Sequence, residues 1–293
     1  MLSTLLPFRD REACSTTAAS ARSILCLSFG VFILHTFTSE AGAWRKNSLR
    51  ENTCAVPPPT HFYDVPSPLF YASIERKFDM LDAWTRRYHA DYADRTWGIA
   101  SIQRYAMVKT KFIFETLITA FPLSVETTVC ELGFNAGHSS ILFLETLPKA
   151  KVFSFDIGEG TFTIPNKDML KGVYGPRFEF VLGDSAKTLP GFVGEVECDV
   201  AFADGQKGFD MRYADVLALS RISKKGALLF LDEVSDSACA SGKASERECS
   251  LSTSTYSGET LAYNRLVREG VIDVTNCIET KTKNDGFCVA SFK

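Results

Sequence analysis

Five carboxylates stand where apolar runs stop. Glu131 lies at the end of 129–132, Asp156 closes 151–156, Asp184 follows 178–182, Asp204 follows 199–203 and Asp232 follows 227–231. Short apolar runs alternating with helix-period stretches read as buried strands of a mainly parallel sheet. Such sheets bind ligands in the crevice outside the carboxyl ends of their strands. One acid there would mean little; five are hard to explain as solvated charges. An acid at Glu131 can face a cationic group where a dinucleotide enzyme would meet pyrophosphate. Asp156, 23 residues after Gly133, stands where an acid takes ribose hydroxyls. This pair points to a nucleoside that carries a positive charge and no pyrophosphate. Asp204, Lys207, Asp232 and Glu233 form a second group, near two neighbouring strand ends. Two carboxylates so placed repel each other unless a cation, a proton or Lys207 lies between them. A hard divalent ion held by their oxygens would acidify a bound hydroxyl, and a partly desolvated lysine could take the proton. Lys207 reads equally well as a solvated lysine opening a helix.

The first group needs a strand, a tight turn and a helix in succession, and 127–140 supplies them: Thr-Thr-Val-Cys-Glu-Leu-Gly-Phe-Asn-Ala-Gly-His-Ser-Ser. Gly133 and Gly137 suit a backbone that turns sharply or approaches a ligand closely. The helical pattern of 141–147 follows, so backbone N–H groups at a helix start would sit beside the ligand. The spacing is not G-x-G-x-x-G, which disfavours a nicotinamide oxidoreductase.

Residues 131–139, Glu-Leu-Gly-Phe-Asn-Ala-Gly-His-Ser, resemble the first motif of the class I S-adenosylmethionine-dependent methyltransferases, most closely the catechol-type small-molecule O-methyltransferases. The resemblance runs in order from about Gly98 to the last residue. It implies an α/β fold: a Rossmann-like, doubly wound, seven-stranded sheet, mainly parallel with a C-terminal antiparallel hairpin. It also implies that Glu131, Gly133, Asn135, Gly137 and Asp156 bind S-adenosyl-L-methionine, with Asp184 and Ser185 by the adenine edge. His138 is expected as a helix-start residue near the donor. Asp204-Gly-Gln-Lys207 and Asp232-Glu233 correspond to the Asp-x-x-Lys and Asp-Asn of the catechol pattern. There the carboxylates and the amide hold Mg²⁺ and the lysine is the base, which would make Lys207 and Asp204 catalytic and Asp204, Asp232 and Glu233 metal ligands. Glu233 departs from that pattern, since its longer stem and added charge alter the geometry, so Mg²⁺ dependence stays open. The expected activity is methylation of a hydroxyl on a small molecule or a glycan. Metal-independent N-methylation, or donor binding without catalysis, are the alternatives.

Composition sets the outer limits. With 293 residues, 45% hydrophobic content and net charge −3, the chain can build one sizeable core. It has no electrostatic footprint for nucleic acid, and oligomeric state is not legible. Three arginines (9, 11, 22) precede an apolar segment at 24–34, which is short for a membrane span but suits a signal peptide. Ala41-Gly42-Ala43 supplies a cleavage pattern. Residues 1–43 therefore read as a signal peptide or a single-pass anchor, with membrane attachment through 24–38 in the second case. The expected address is the secretory pathway, luminal or membrane-bound. A two-part plastid signal, with Trp44 after the leader, is the alternative. Pro57, Pro58, Pro59, Pro66 and Pro68 make 44–68 a stiff linker, leaving 69–293 as the methyltransferase domain.

Helical spacing predicts helices at 71–87 and 102–121, and the resemblance adds that such helices cap the donor and shape the acceptor site. Further helices are expected at 211–222 and from Ser257 to about Arg268. Between them 234–257 reads as a serine-rich loop, an acceptor-side lid or a disordered stretch. Strands at 271–278 and 287–292, joined through Asn284-Asp-Gly286, close the chain as a hairpin. The nine cysteines contain no C-x-x-C pair, so a structural zinc site is not expected. Most read as buried apolar residues. In an oxidising compartment Cys239 could bond Cys249, and Cys277 could face Cys288 across the hairpin.

Overall fold

The computed structural model describes residues 68–88, 104–250, 257–278 and 286–293. All lie in 59–293, one of two units into which the chain divides. The leader or anchor at 1–43, the segment 24–38 and the linker up to residue 67 lie outside the described residues. So do 251–256 of the loop and Asn284 and Asp285 of the hairpin turn. Among the described residues no helix is long and apolar enough to cross a membrane.

Two helices, α1 (Pro68–Thr85) and α2 (Arg104–Ala120), precede the sheet. Strand and helix then alternate through β1 (Thr127–Leu132), α3 (His138–Thr146), β2 (Ala150–Asp156), α4 (Thr163–Tyr174) and β3 (Phe178–Leu182). The alternation continues with α5 (Ser185–Thr188), β4 (Cys198–Ala203), α6 (Phe209–Arg221) and β5 (Ser223–Val234). After α7 (Ser237–Ala240), α8 (Glu246–Ser250) and α9 (Ser257–Arg268), β6 (Ile272–Ile278) and β7 (Gly286–Phe292) complete one seven-stranded sheet. Its order is β3-β2-β1-β4-β5-β7-β6. The first five strands are parallel, and β7 runs antiparallel to both β5 and β6. This is the Rossmann-like doubly wound architecture that the sequence implies.

Apolar side chains alternate between two buried faces. Val129, Val152, Phe202 and Phe230 meet Ile74, Phe78, Leu81, Ile113 and Leu117 of α1 and α2 and Phe143 of α3. On the other face Leu132, Phe155, Ala201, Leu229 and Leu231 meet Val216 and Leu219 of α6 and Tyr263 and Leu266 of α9. Burial on both faces explains why the central strands lack the apolar–polar alternation of a half-exposed sheet. The strand order reverses between β1 and β4, which opens the binding crevice there.

Three local features differ from the sequence reading. β5 is longer than its apolar core, so Asp232 and Glu233 lie inside its last turn of chain rather than beyond it. Pairing with β7 slips between Leu231 and Val234, and Glu233 takes φ 63°. A left-handed glutamate is uncommon, and such local strain persists only where its surroundings hold it. The serine-rich loop contains two short helices, α7 and α8, which low hydrophobicity and the absence of a period hid. Its described part is tied down: Cys239 and Cys249 are bonded, and Asn264 Nδ2 donates to the carbonyls of Cys239 (2.7 Å) and Ala244 (3.2 Å). Cys277 and Cys288 are bonded across β6 and β7, and a third bond joins Cys130 of β1 to Cys198 of β4.

Candidate active site

The turn after β1 is fixed from both sides. Gly133 N–H donates to the Phe155 carbonyl (2.9 Å), and Asp204 N–H donates to the Leu132 carbonyl (3.0 Å). Gly133 has φ 93°, and a Cβ there would lie 2.1 Å from the Asp204 carbonyl oxygen. Only glycine permits both the dihedral and this close passage of β4. Asn135 (φ 48°) and Gly137 (φ 99°) complete the turn. Asp156 Oδ2 accepts from Asn135 N–H (2.9 Å) and Oδ1 from Gly158 N–H (2.6 Å), so one carboxylate holds the loops after β1 and β2. His138 starts α3, as expected, and its Nε2 bonds Asp82 of α1 (2.8 Å). Asn166 of α4 reaches the Ala136 carbonyl (2.9 Å) and Thr85 (2.8 Å).

Glu131 sits behind this turn and is fully buried. Register explains its surroundings: Glu131 pairs with Ser154 of β2, and both face α3. Its carboxylate accepts the hydroxyls of Ser139, Ser140 and Ser154, which knot β1, β2 and the first turn of α3 together. Sequence reasoning passed over these serines, although two of them stand in the motif itself. Burial pushes the Glu131 carboxyl up to about 7, against the pull of the three hydroxyls. A raised acid binds more protons folded than unfolded, so stability should fall as pH rises from about 4.5 to about 7. The expected loss is about 3 kcal/mol. Urea unfolding at pH 5 and pH 8 measures it together with the contribution of Glu233, which titrates in the same range, and Glu131→Gln should remove the Glu131 share; an unchanged slope in the variant would assign the dependence elsewhere.

At the end of β3, Asp184 caps α5 by accepting Ala186 N–H (3.0 Å) and pairs with Lys187 (3.0 Å). Ser185 donates to Asp215 of α6 (2.6 Å). Ile157 and Leu182, at the ends of β2 and β3, are exposed apolar residues beside Asp156 and Asp184. They offer an apolar surface to a base, a feature legible only once β2 and β3 are neighbours.

The ends of β4 and β5 carry three acids and three cations. Lys207 contacts Glu233 and lies 3.4 Å from Asp204. Arg212, fully buried on α6, bonds Glu233 Oε2 (2.8 Å) and donates to the Ala203 carbonyl. Lys109 of α2 reaches Asp232 Oδ1 (2.5 Å), over the face of Phe287. Asp232 Oδ1 also accepts Glu233 N–H (2.7 Å), and its backbone carbonyl takes the Tyr263 hydroxyl (2.7 Å). Burial lowers the pKa of Lys207, but the Asp204 and Glu233 charges outweigh it and hold the ammonium above its ordinary range. Burial pushes Asp204 up, only partly offset by Lys207. Burial and the Asp204 charge bring Glu233 to about 7. At Asp232 the Lys109 ammonium overcomes burial and keeps the carboxyl low.

A magnesium ion demands oxygens that converge in near-octahedral geometry. Here Asp232 is engaged by Lys109, and Glu233 by Lys207 and Arg212. Among the described residues no three His, Cys, Asp or Glu side chains gather as an ion would require. In this arrangement Asp204, Asp232 and Glu233 do not fit the metal. The ends of β1, β2 and β3 do fit a sulfonium nucleoside: a turn that a single Cβ would block, an acid closing β2 and an apolar shelf able to take a base.

Residues 130–234 match the family described as a methyltransferase domain. The fold is similar to that of a protein from Klebsiella pneumoniae assigned as an O-methyltransferase. Identity is 13% and the TM-score 0.52, over 80% of this chain and 100% of that one. It is also similar to TomG, an O-methyltransferase from Streptomyces achromogenes involved in tomaymycin synthesis and solved with S-adenosylmethionine. There identity is 16% and the TM-score 0.51, over 77% of this chain and 95% of that one. Comparison with curated proteins gives no match. The strand order, the turn after β1 and the match of residues 130–234 to a methyltransferase domain agree with the class I S-adenosylmethionine-dependent methyltransferases that the sequence resembles.

Proposed function

We propose that this enzyme methylates a hydroxyl oxygen of a small molecule. The observation that carries the reading is the contact between the two halves of the site. The donor turn at Gly133 passes directly against Asp204, so a methyl held by the turn is presented to the charged ends of β4 and β5. The two structural relatives, both described as O-methyltransferases, support oxygen as the acceptor atom.

Bound at the turn, S-adenosylmethionine supplies an electrophilic methyl carbon on a positively charged sulfur. The chain must align the acceptor in line with it and receive the proton the acceptor sheds. Asp204 is the acid of the cluster best placed for this, being about one-third exposed where Glu233 is buried. Its carboxylate accepts the hydroxyl proton and later returns it to water. Lys207, kept as an ammonium by its two acids, donates to the acceptor oxygen and stabilises the negative charge that develops there. Sequence reasoning gives Lys207 the part of base; its pairing suits it better to this cationic part. Asp156 orders the turn and binds the ribose.

The test combines binding with transfer. Asp156→Ala should weaken S-adenosylhomocysteine at least tenfold in calorimetry, since a charge-assisted hydrogen bond is worth about 1.5–3 kcal/mol. Labelled donor offered with a panel of phenols, alcohols and amines should label hydroxyls. Transfer to amines alone would overturn the oxygen assignment and leave the donor site standing.

A further inference from the structure

The six charges at the ends of β4 and β5 cancel: Lys109, Lys207 and Arg212 against Asp204, Asp232 and Glu233. Two of the cations are anchored by contacts beyond the acids. Arg212 is fully buried with a bond to the Ala203 carbonyl, and Lys109 lies over the Phe287 ring. Buried carboxylates left without a partner are costly, so a cation must remain beside them. Lys109 comes from α2, outside the βαβ core, and its ammonium reaches the carboxylate oxygen that the catechol resemblance would assign to magnesium. We propose that Lys109 is the resident cation of this site, filling at Asp232 the place of a divalent ion, so that the enzyme works without metal.

This rests on the methyltransferase reading for its catalytic meaning, but not for its geometry. A divalent ion entering among these residues would face three positive charges, two of them anchored, and it could bind Asp232 only by displacing Lys109. The consequence is a site whose electrostatics are built into the chain. Their strength should not vary with free Mg²⁺.

Manganese serves as the probe because its free ion gives a six-line electron paramagnetic resonance signal that binding removes. Added at about 100 µM to an equal amount of wild-type protein, Mn²⁺ should keep its full signal, and EDTA should leave the transfer rate unchanged. Lys109→Met, with the ammonium gone, should bind Mn²⁺ at least tenfold more tightly than wild type. Asp232→Asn added to that variant should abolish the gain. Wild-type protein that binds one Mn²⁺, with the binding lost in Asp232→Asn, would overturn the proposal. So would a folded Lys109→Met that gains no affinity. Should Lys109→Met fail to fold, the wild-type titration with and without Asp232→Asn decides alone. The resonance measurement needs no acceptor, so a protein that transfers methyl to no hydroxyl would defeat the functional reading while leaving this one to be judged.

Discussion

Asp204→Asn is expected to lower methyl-transfer turnover by roughly 10²–10⁴, the usual worth of a group that receives a proton in the transition state. The amide matches the carboxylate in size but cannot take the hydroxyl proton. Binding of S-adenosylhomocysteine should stay within about twofold, because Asp204 meets the donor turn through its backbone, which the substitution keeps. Lys207→Met should cost roughly 10²–10³ through lost stabilisation of the acceptor oxygen. The pH profile separates the two possible parts for Lys207. A lysine base would make the wild-type rate climb steadily with pH, since its neutral form is scarce while Asp204 and Glu233 hold the proton on it. A lysine acting as a cation gives a rate that levels off near neutral pH and falls only in strong alkali. The Lys207→Met deficit should shrink at high pH with a phenolic acceptor, which then ionises unaided. Wild-type turnover in Asp204→Asn would remove Asp204 from the reaction.

The second large effect is on stability. Arg212 is a fully buried guanidinium whose partners are Glu233 and the Ala203 carbonyl. Removing Arg212 leaves Glu233 with Lys207 as its remaining cation, and breaking such a buried pair typically costs up to about 3–5 kcal/mol. Arg212→Met should therefore lose about that much unfolding free energy in urea. Arg212→Met combined with Glu233→Met should recover much of it, because an apolar pair of similar volume carries no charge to bury. The signature is non-additivity between contacting residues. Single and double variants that lose equal amounts would place the stabilising role of Arg212 elsewhere, for instance in its bond to the Ala203 carbonyl.

The fold was legible because each central strand is a short apolar run ended by an acid, and α3, α6 and α9 show a helical period, whereas α4 and α5 were not read from the sequence. Glu131, Asp156 and Asp204 could be placed at strand ends from spacing alone, since those positions are local properties of strand and turn. What surrounds them is not local. Lys109 meets Asp232 across 123 residues of chain, and nothing in the sequence of α2 sets that lysine apart from Lys111 two positions on. Arg212 looks like any surface arginine in an amphipathic helix; only the packing of α6 over the end of β4 turns it inward. Cys130 and Cys198 read as small apolar residues within strands, and they meet only because β4 lies beside β1. The left-handed backbone at Glu233 depends on where the β5–β7 pairing slips, which strand propensity does not encode. Glycines at 133 and 137 were the exception, since their chemistry announces a turn before any contact is known.

The hydrogen bonds around the donor turn also bear on how the enzyme would be regulated by its own product. Asp156 already holds Asn135 and Gly158, and the neighbouring strands already hold Gly133 and Asp204. No ordering of these bonds is left to be driven by the arriving nucleoside, so little conformational entropy is lost on binding. A turn already bonded in this way need not close over the donor or relax around S-adenosylhomocysteine. The two molecules share the ribose, base and amino-acid groups and differ by one methyl and one positive charge on sulfur. A preformed turn that grips the shared parts discriminates between them only through that charge. S-adenosylhomocysteine should accordingly compete strongly for the site, and the enzyme's flux would follow the ratio of donor to spent donor in its compartment more than the donor concentration itself.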